Sequence, residues 1–186
     1  MPPAACALEM DLPAALAQCA ADVHPDTMTR LIRVESGFNP YAIGVVGGRL
    51  ARQPRDLAEA QATARSLAER GVNFSVGLAQ INRVNFRAHG LTLANAFDVC
   101  ANLRAAAAIL RGCFERARGR HPEPHTLLAA LSCYYAGDFR RGFAHGYVAR
   151  VIGASTVTPP AVVSSRAEPS PPPSDVACPT LRPESV

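Results

Sequence analysis

A chain of 186 residues with a hydrophobic fraction of 48% is long enough for one domain of ordinary size with a real core. Nineteen Lys plus Arg against fifteen Asp plus Glu leave a formal net charge of +4, with no basic run and no interleaving of basic and aromatic residues, which argues against nucleic acid as a partner. No apolar run approaches the roughly eighteen residues of a membrane span, and an alanine-rich composition without tryptophan favours closely packed helices over a sheet sandwich.

Residues 1–23 read as an N-terminal approach segment with a short helix around Ala14 to Ala21. Its start has no basic residue and is interrupted by Glu9 and Asp11, so it does not read as a secretory signal. A stronger pattern follows. Met28, Leu31 and Ile32 recur at the spacing of a buried helical stripe, and the i+7 position of that stripe is Glu35. Pro25 and Asp26 suit a first turn, while Gly37 and Pro40 suit the end, which sets Glu35 in the last turn facing inward. Apolar neighbours and the negative end of the helix dipole both disfavour a carboxylate, so its pKa is expected to rise. A Glu that stays protonated near neutral pH can act as a general acid. The alternative is a Glu at the rim of the stripe, reaching water or paired with Arg30 or Arg33.

Ile43, Val45 and Val46, then Gly47-Gly48 and Leu50, predict a small hairpin turning on the two glycines. Leu57, Ala60, Ala64 and Leu67 predict an amphipathic helix between Pro54 and Arg70. Asp56 and Glu59 in its first turn read as dipole-complementing residues or, on a sharper reading, as a second catalytic carboxylate. Next, Gly77 permits close backbone approach, and Gln80 and Asn82 offer paired donors and acceptors suited to amide or hydroxyl groups. Asp98 suits a cap for a long helix whose stripe runs through Leu103, Ala106, Ala107, Leu110, Cys113, Phe114 and Ala117, the expected core spine.

In His121-Pro-Glu-Pro-His125 the prolines break any helix that would align the two histidines on a metal. Thr126 is the expected cap of a helix from Leu127 to Ala136, in which Leu127, Leu131 and Tyr134 share a face. Phe143, Tyr147, Val148 and Val151 mark one last helix. Tyr134 and Tyr147 would bury their rings while their hydroxyls seek a partner, a place that Glu35 can fill. Residues 154–186 hold eight of the sixteen prolines and few large apolar groups, and read as a disordered or extended tail. Of the six cysteines none forms a CxxC pair, which argues against structural zinc. Cys100 and Cys113 bracket one helix and cannot bridge each other, so if all four of Cys19, Cys100, Cys113 and Cys133 pair, Cys19 and Cys133 each take one of them; free buried thiols are the alternative.

Four stretches carry a family resemblance: Glu35-Ser-Gly-Phe-Asn-Pro40, Gly77-Leu-Ala-Gln-Ile-Asn82, Leu131-Ser-Cys-Tyr-Tyr-Ala-Gly137 and Gly146-Tyr-Val-Ala-Arg-Val151. Their order resembles that of the motifs of soluble lytic transglycosylases, over residues 24–153, and the segment from Tyr41 to Gly48 resembles the branch associated with type IV secretion systems. In the wider family the second motif usually has Met where this chain has Ala79, and the third reads Ala-Tyr-Asn where this chain has Cys133-Tyr134-Tyr135. The resemblance implies a mainly α, goose-lysozyme-like domain at 24–153 with a groove for peptidoglycan glycan strands. It implies Glu35 as the acid, Ser36 and Tyr147 positioning it, Gln80 and Asn82 holding sugar or acetamido groups, and Tyr134 shaping the wall beside it. It further implies a periplasmic location, no metal or cofactor, and a tail available to components of the secretion machine.

Overall fold

Asp11 accepts the backbone amide of Ala14 and opens α1 (Leu12–Cys19), the first helix of the computed structural model, which describes residues 11–156. This segment, expected only as an approach, contributes Leu12, Leu16 and Cys19 to the core. Pro25 starts α2 (Pro25–Ser36), and Gly37 ends it in the left-handed conformation, its amide bonded to the Arg33 carbonyl. Met28, Leu31 and Ile32 are fully buried, as their spacing predicts. The expected tail lies outside the described residues, apart from its first three.

The hairpin on Gly47-Gly48 does not form. β1 (Ile43–Val45) instead pairs antiparallel with β2 (Phe74–Val76) across the intervening α3 (Leu57–Glu69), and β2 turns back into β3 (Ile81–Asn82), giving sheet order β1-β2-β3. The reason lies in a side chain. Gln53 accepts from the Ile43 amide at 2.8 Å and donates to the Ile43 carbonyl at 3.0 Å, satisfying the edge of β1 that a returning strand around Leu50 would have used.

After two short 3-10 turns (Arg83–Asn85 and Arg87–His89), Asp98 caps α4 (Val99–Ala117) through the Ala101 amide. This helix is the spine, packed on α1 and on α5 (His125–Ala136). Thr126 is not the cap of α5. It lies inside the first turn, where its hydroxyl donates to the His121 carbonyl at 2.7 Å, so the hydroxyl holds the preceding loop instead of an orphan amide. The expected single last helix is divided into α6 (Arg141–Ala144) and α7 (Tyr147–Gly153), separated by His145 and a left-handed Gly146. Phe143 is accordingly exposed while Tyr147, Val148 and Val151 are buried.

The cysteines pair. Cys19 joins Cys100, tying α1 to the start of α4, and Cys113 joins Cys133, tying the end of α4 to α5. The result is a mainly helical domain with one small sheet, and the sheet and the ends of α2 and α5 face a common groove.

Candidate active site

Glu35 lines a groove of about 280 Å³ together with side chains from the sheet, from α4 and from α5. The sheet supplies one row across its strands, Gly44, Ser75 and Asn82, which are register partners. Gln80 and Asn85 flank that row, Ile109 comes from α4, and Tyr134 and Tyr135 come from the last turn of α5. Among these lining residues Glu35 is the only carboxylate.

The environment of that carboxyl is apolar enough to matter. Part of the side chain meets the groove, but the carboxyl is packed about closely, and this burial pushes its pKa up to about 7 from 4.5, against smaller downward effects from the Tyr147 hydrogen bond and the positive charge of Arg150. Arg30 does not pair with it, because its guanidinium donates to the carbonyls of Ile152 and Ala154 at the end of α7. Tyr147 donates to Glu35 Oε1 at 2.5 Å, and its own pKa is pushed far up by burial and then by the neighbouring carboxyl, so it remains a donor. Among the described residues the other carboxyl oxygen, Oε2, has no hydrogen-bond partner.

The remaining expected residues are distributed differently. Tyr134 reaches not Glu35 but the Ala79 carbonyl, at 2.7 Å, while its half-buried side chain stands at the groove wall and its ionisation is suppressed by desolvation and by Glu35. Ser36 does not bond to Glu35. Its hydroxyl turns back along the helix to the Ile32 carbonyl at 3.3 Å, as a Ser in the last helical turn readily does. Gln80 donates to the carbonyls of Ala42 and Gly77, both at 3.0 Å, and holds a left-handed backbone with φ 49°. Its Oε1 fills the space above Gly44, where an added Cβ would stand 2.6 Å away. Asn82 is also committed: its Oδ1 accepts the Val84 amide at 3.1 Å and its Nδ2 donates to Ser75 at 3.3 Å.

Three contributors were missed at the level of sequence. Asn102 is buried in α4 and makes three bonds, accepting from the Ala79 amide at 2.9 Å and donating to the carbonyls of Val76 and Ala96. It presses so close to Gly77 that a Cβ there would lie 2.3 Å from its amide nitrogen, which is the close approach that glycine allows. The signal was available, since Asn102 interrupts the apolar stripe of α4 as Glu35 interrupts that of α2. Arg150, whose guanidinium lies 5.9 Å from the Tyr147 ring centroid, and Tyr135, stacked on the same ring, gave no local signal.

A helical domain with one acid in a groove beside a small sheet defines a class. The chain belongs to the transglycosylase SLT family, whose domain model, described as "Transglycosylase SLT domain", matches residues 13–152. Within it the chain is similar to the type IV secretion system protein virB1 of Brucella abortus, 51% identical over 153 residues covering 78% of this chain and 64% of that protein. The protein of the same name from Brucella suis is 52% identical over 148 residues (76% and 62%), and Protein virB1 of Agrobacterium fabrum is 36% identical over 146 residues (77% and 59%). The chain thus spans about three fifths of the length of these relatives. No solved structure matches it.

Proposed function

We propose that the chain is a peptidoglycan lytic transglycosylase that cuts the β-1,4 bond between N-acetylmuramic acid and N-acetylglucosamine and leaves a 1,6-anhydro-muramic end. The observation that carries this reading is a single groove carboxyl with a pKa near neutrality. Such a group holds a proton to give and, once ionised, is basic enough to take one back. Protonated Glu35 donates to the glycosidic oxygen as the bond to C1 breaks, and the sugar's own N-acetyl group meets the positive charge developing there. The new carboxylate then takes the proton of the C6 hydroxyl while that oxygen attacks C1. The proton returns to Glu35, and no water enters the products.

Tyr147 would orient the acid by holding Oε1, leaving Oε2 for the transferable proton. Tyr134 would form the adjoining wall, and Gln80 would offer its carbonyl oxygen, and Asn82 the edge of its amide, to acetamido and hydroxyl groups. Ser36 would act only through the backbone of α2. The similarity to virB1 proteins supports a place for this activity in the periplasm, opening the wall locally for a type IV secretion system, with residues 154–186 as a contact to its components. Two cross-linked cysteine pairs suit an oxidising compartment of that kind.

A muramidase working through Asp56 or Glu59 would need that second carboxylate to activate water across the sugar, typically about 6.5–9.5 Å from the acid. Asp56 caps α3, Glu59 is held by Arg52 and Arg55, and neither lines the groove. Mass spectrometry of digested peptidoglycan separates the two: 1,6-anhydromuropeptides are expected, and reducing muramic ends in their place would establish the hydrolase.

A further inference from the structure

Tyr135 is 42% exposed on a helix whose Leu131, Ser132 and Cys133 are buried, and it makes no hydrogen bond to the acid or to Tyr147. Its ring lies against that of Tyr147, with centroids 4.6 Å apart and planes 17° from parallel, so one face is covered by the phenol that donates to Glu35. His145 meets it edge-on at 5.9 Å and 83°, with Nδ1 3.3 Å from the Tyr135 hydroxyl. These neighbours brace a side chain that has only two χ angles, and Tyr135 lines the groove. A ring buried for stability alone would hide both faces. One braced on two sides and open on a third is a preformed surface for a flat apolar partner, which it can bind with little ordering cost. Pyranose rings present such a surface in the C–H bonds of one face.

We propose that Tyr135 is a substrate-binding residue whose open face stacks on a sugar ring of the glycan strand next to the bond presented to Glu35. This rests on the glycan-cleaving reading above. Because Tyr135 stacks on the phenol that donates to Glu35, and both Tyr135 and Glu35 line the groove, a sugar lying on the ring is a neighbour of the reacting bond. The contact acts on the grip on the sugar and leaves the acid's proton alone.

The test uses the full chain carrying Glu35→Gln, titrated calorimetrically with an uncrosslinked peptidoglycan glycan strand of defined length. Adding Tyr135→Ala is expected to weaken binding about tenfold, whereas Tyr135→Phe keeps the ring and stays within about twofold. Tyr135→Leu, apolar but without a flat face, is expected to lose as much as Ala and serves where Ala unsettles the fold. In the chain that retains Glu35, Tyr135→Leu should raise KM and leave the pH dependence of kcat in place. Unchanged affinity in the Ala or Leu variant overturns the proposal. So does an effect confined to kcat with a displaced pH profile, which would make the ring a buttress for Tyr147. Failure of the Glu35→Gln parent to bind the strand at all would bring down the glycan-cleaving reading, and the stacking role with it.

Discussion

Glu35 and Glu59 are the same side chain at opposite ends of two amphipathic helices. Glu59 sits in the first turn of α3, beside the Arg52 and Arg55 guanidinium groups and the Arg55 amide, and these hold its carboxyl down to about 2, the Arg52 hydrogen bond contributing most. Glu35 sits in the last turn of α2, where packing removes water and a phenol supplies one neutral hydrogen bond, and its carboxyl rises to about 7. The contrast teaches that a carboxyl's role is set by what replaces its water. Cations make a permanent anion that fastens a loop; apolar walls make a group that exchanges its proton near neutral pH.

The sharpest way to break this comparison is to remove each acid in turn. Glu35→Gln is expected to lower release of anhydromuropeptides by about 10³-fold or more, because the proton donor and its later base are lost together. Stability offers the next largest effect. Between pH 4.5 and about 7 the folded chain keeps a proton on Glu35 that the unfolded chain has released, so this residue makes stability fall as pH rises through that window and then level off. Urea unfolding of the wild type against Glu35→Gln should show the difference growing by up to about 3 kcal/mol from pH 4.5 to pH 8, in favour of the variant. An unchanged difference would mean that Glu35 titrates like a solvated acid.

Tyr147→Phe tests the single hydrogen bond. Removing a contact that favours the ionised carboxyl raises the Glu35 pKa further, so the alkaline limb of the pH–rate profile should move to higher pH while kcat drops roughly tenfold from lost orientation. Glu59→Gln should have the smallest effect, leaving the rate of wall digestion unchanged. A rate loss there comparable to that of Glu35→Gln would restore the second-carboxylate reading.

The amino-acid sequence by itself determined what depends on neighbours along the chain. The stripe of Met28, Leu31 and Ile32 placed Glu35 at the end of α2 and facing inward, Asp98 marked the start of α4, and the four ordered motifs marked the family. These are legible because helical periodicity and capping act within a few residues. Only the tertiary structure decided that β1 pairs with β2 and not with the residues around Leu50, that Ser36 turns away from Glu35, and that Tyr147, 112 residues distant, supplies the hydroxyl while Tyr134 goes to Ala79. The same holds for Asn102 in the Ala79 loop and for Tyr135 on Tyr147. Such partners are chosen by which surfaces packing brings together, and a polar group takes whichever donor or acceptor is nearest once water has been excluded.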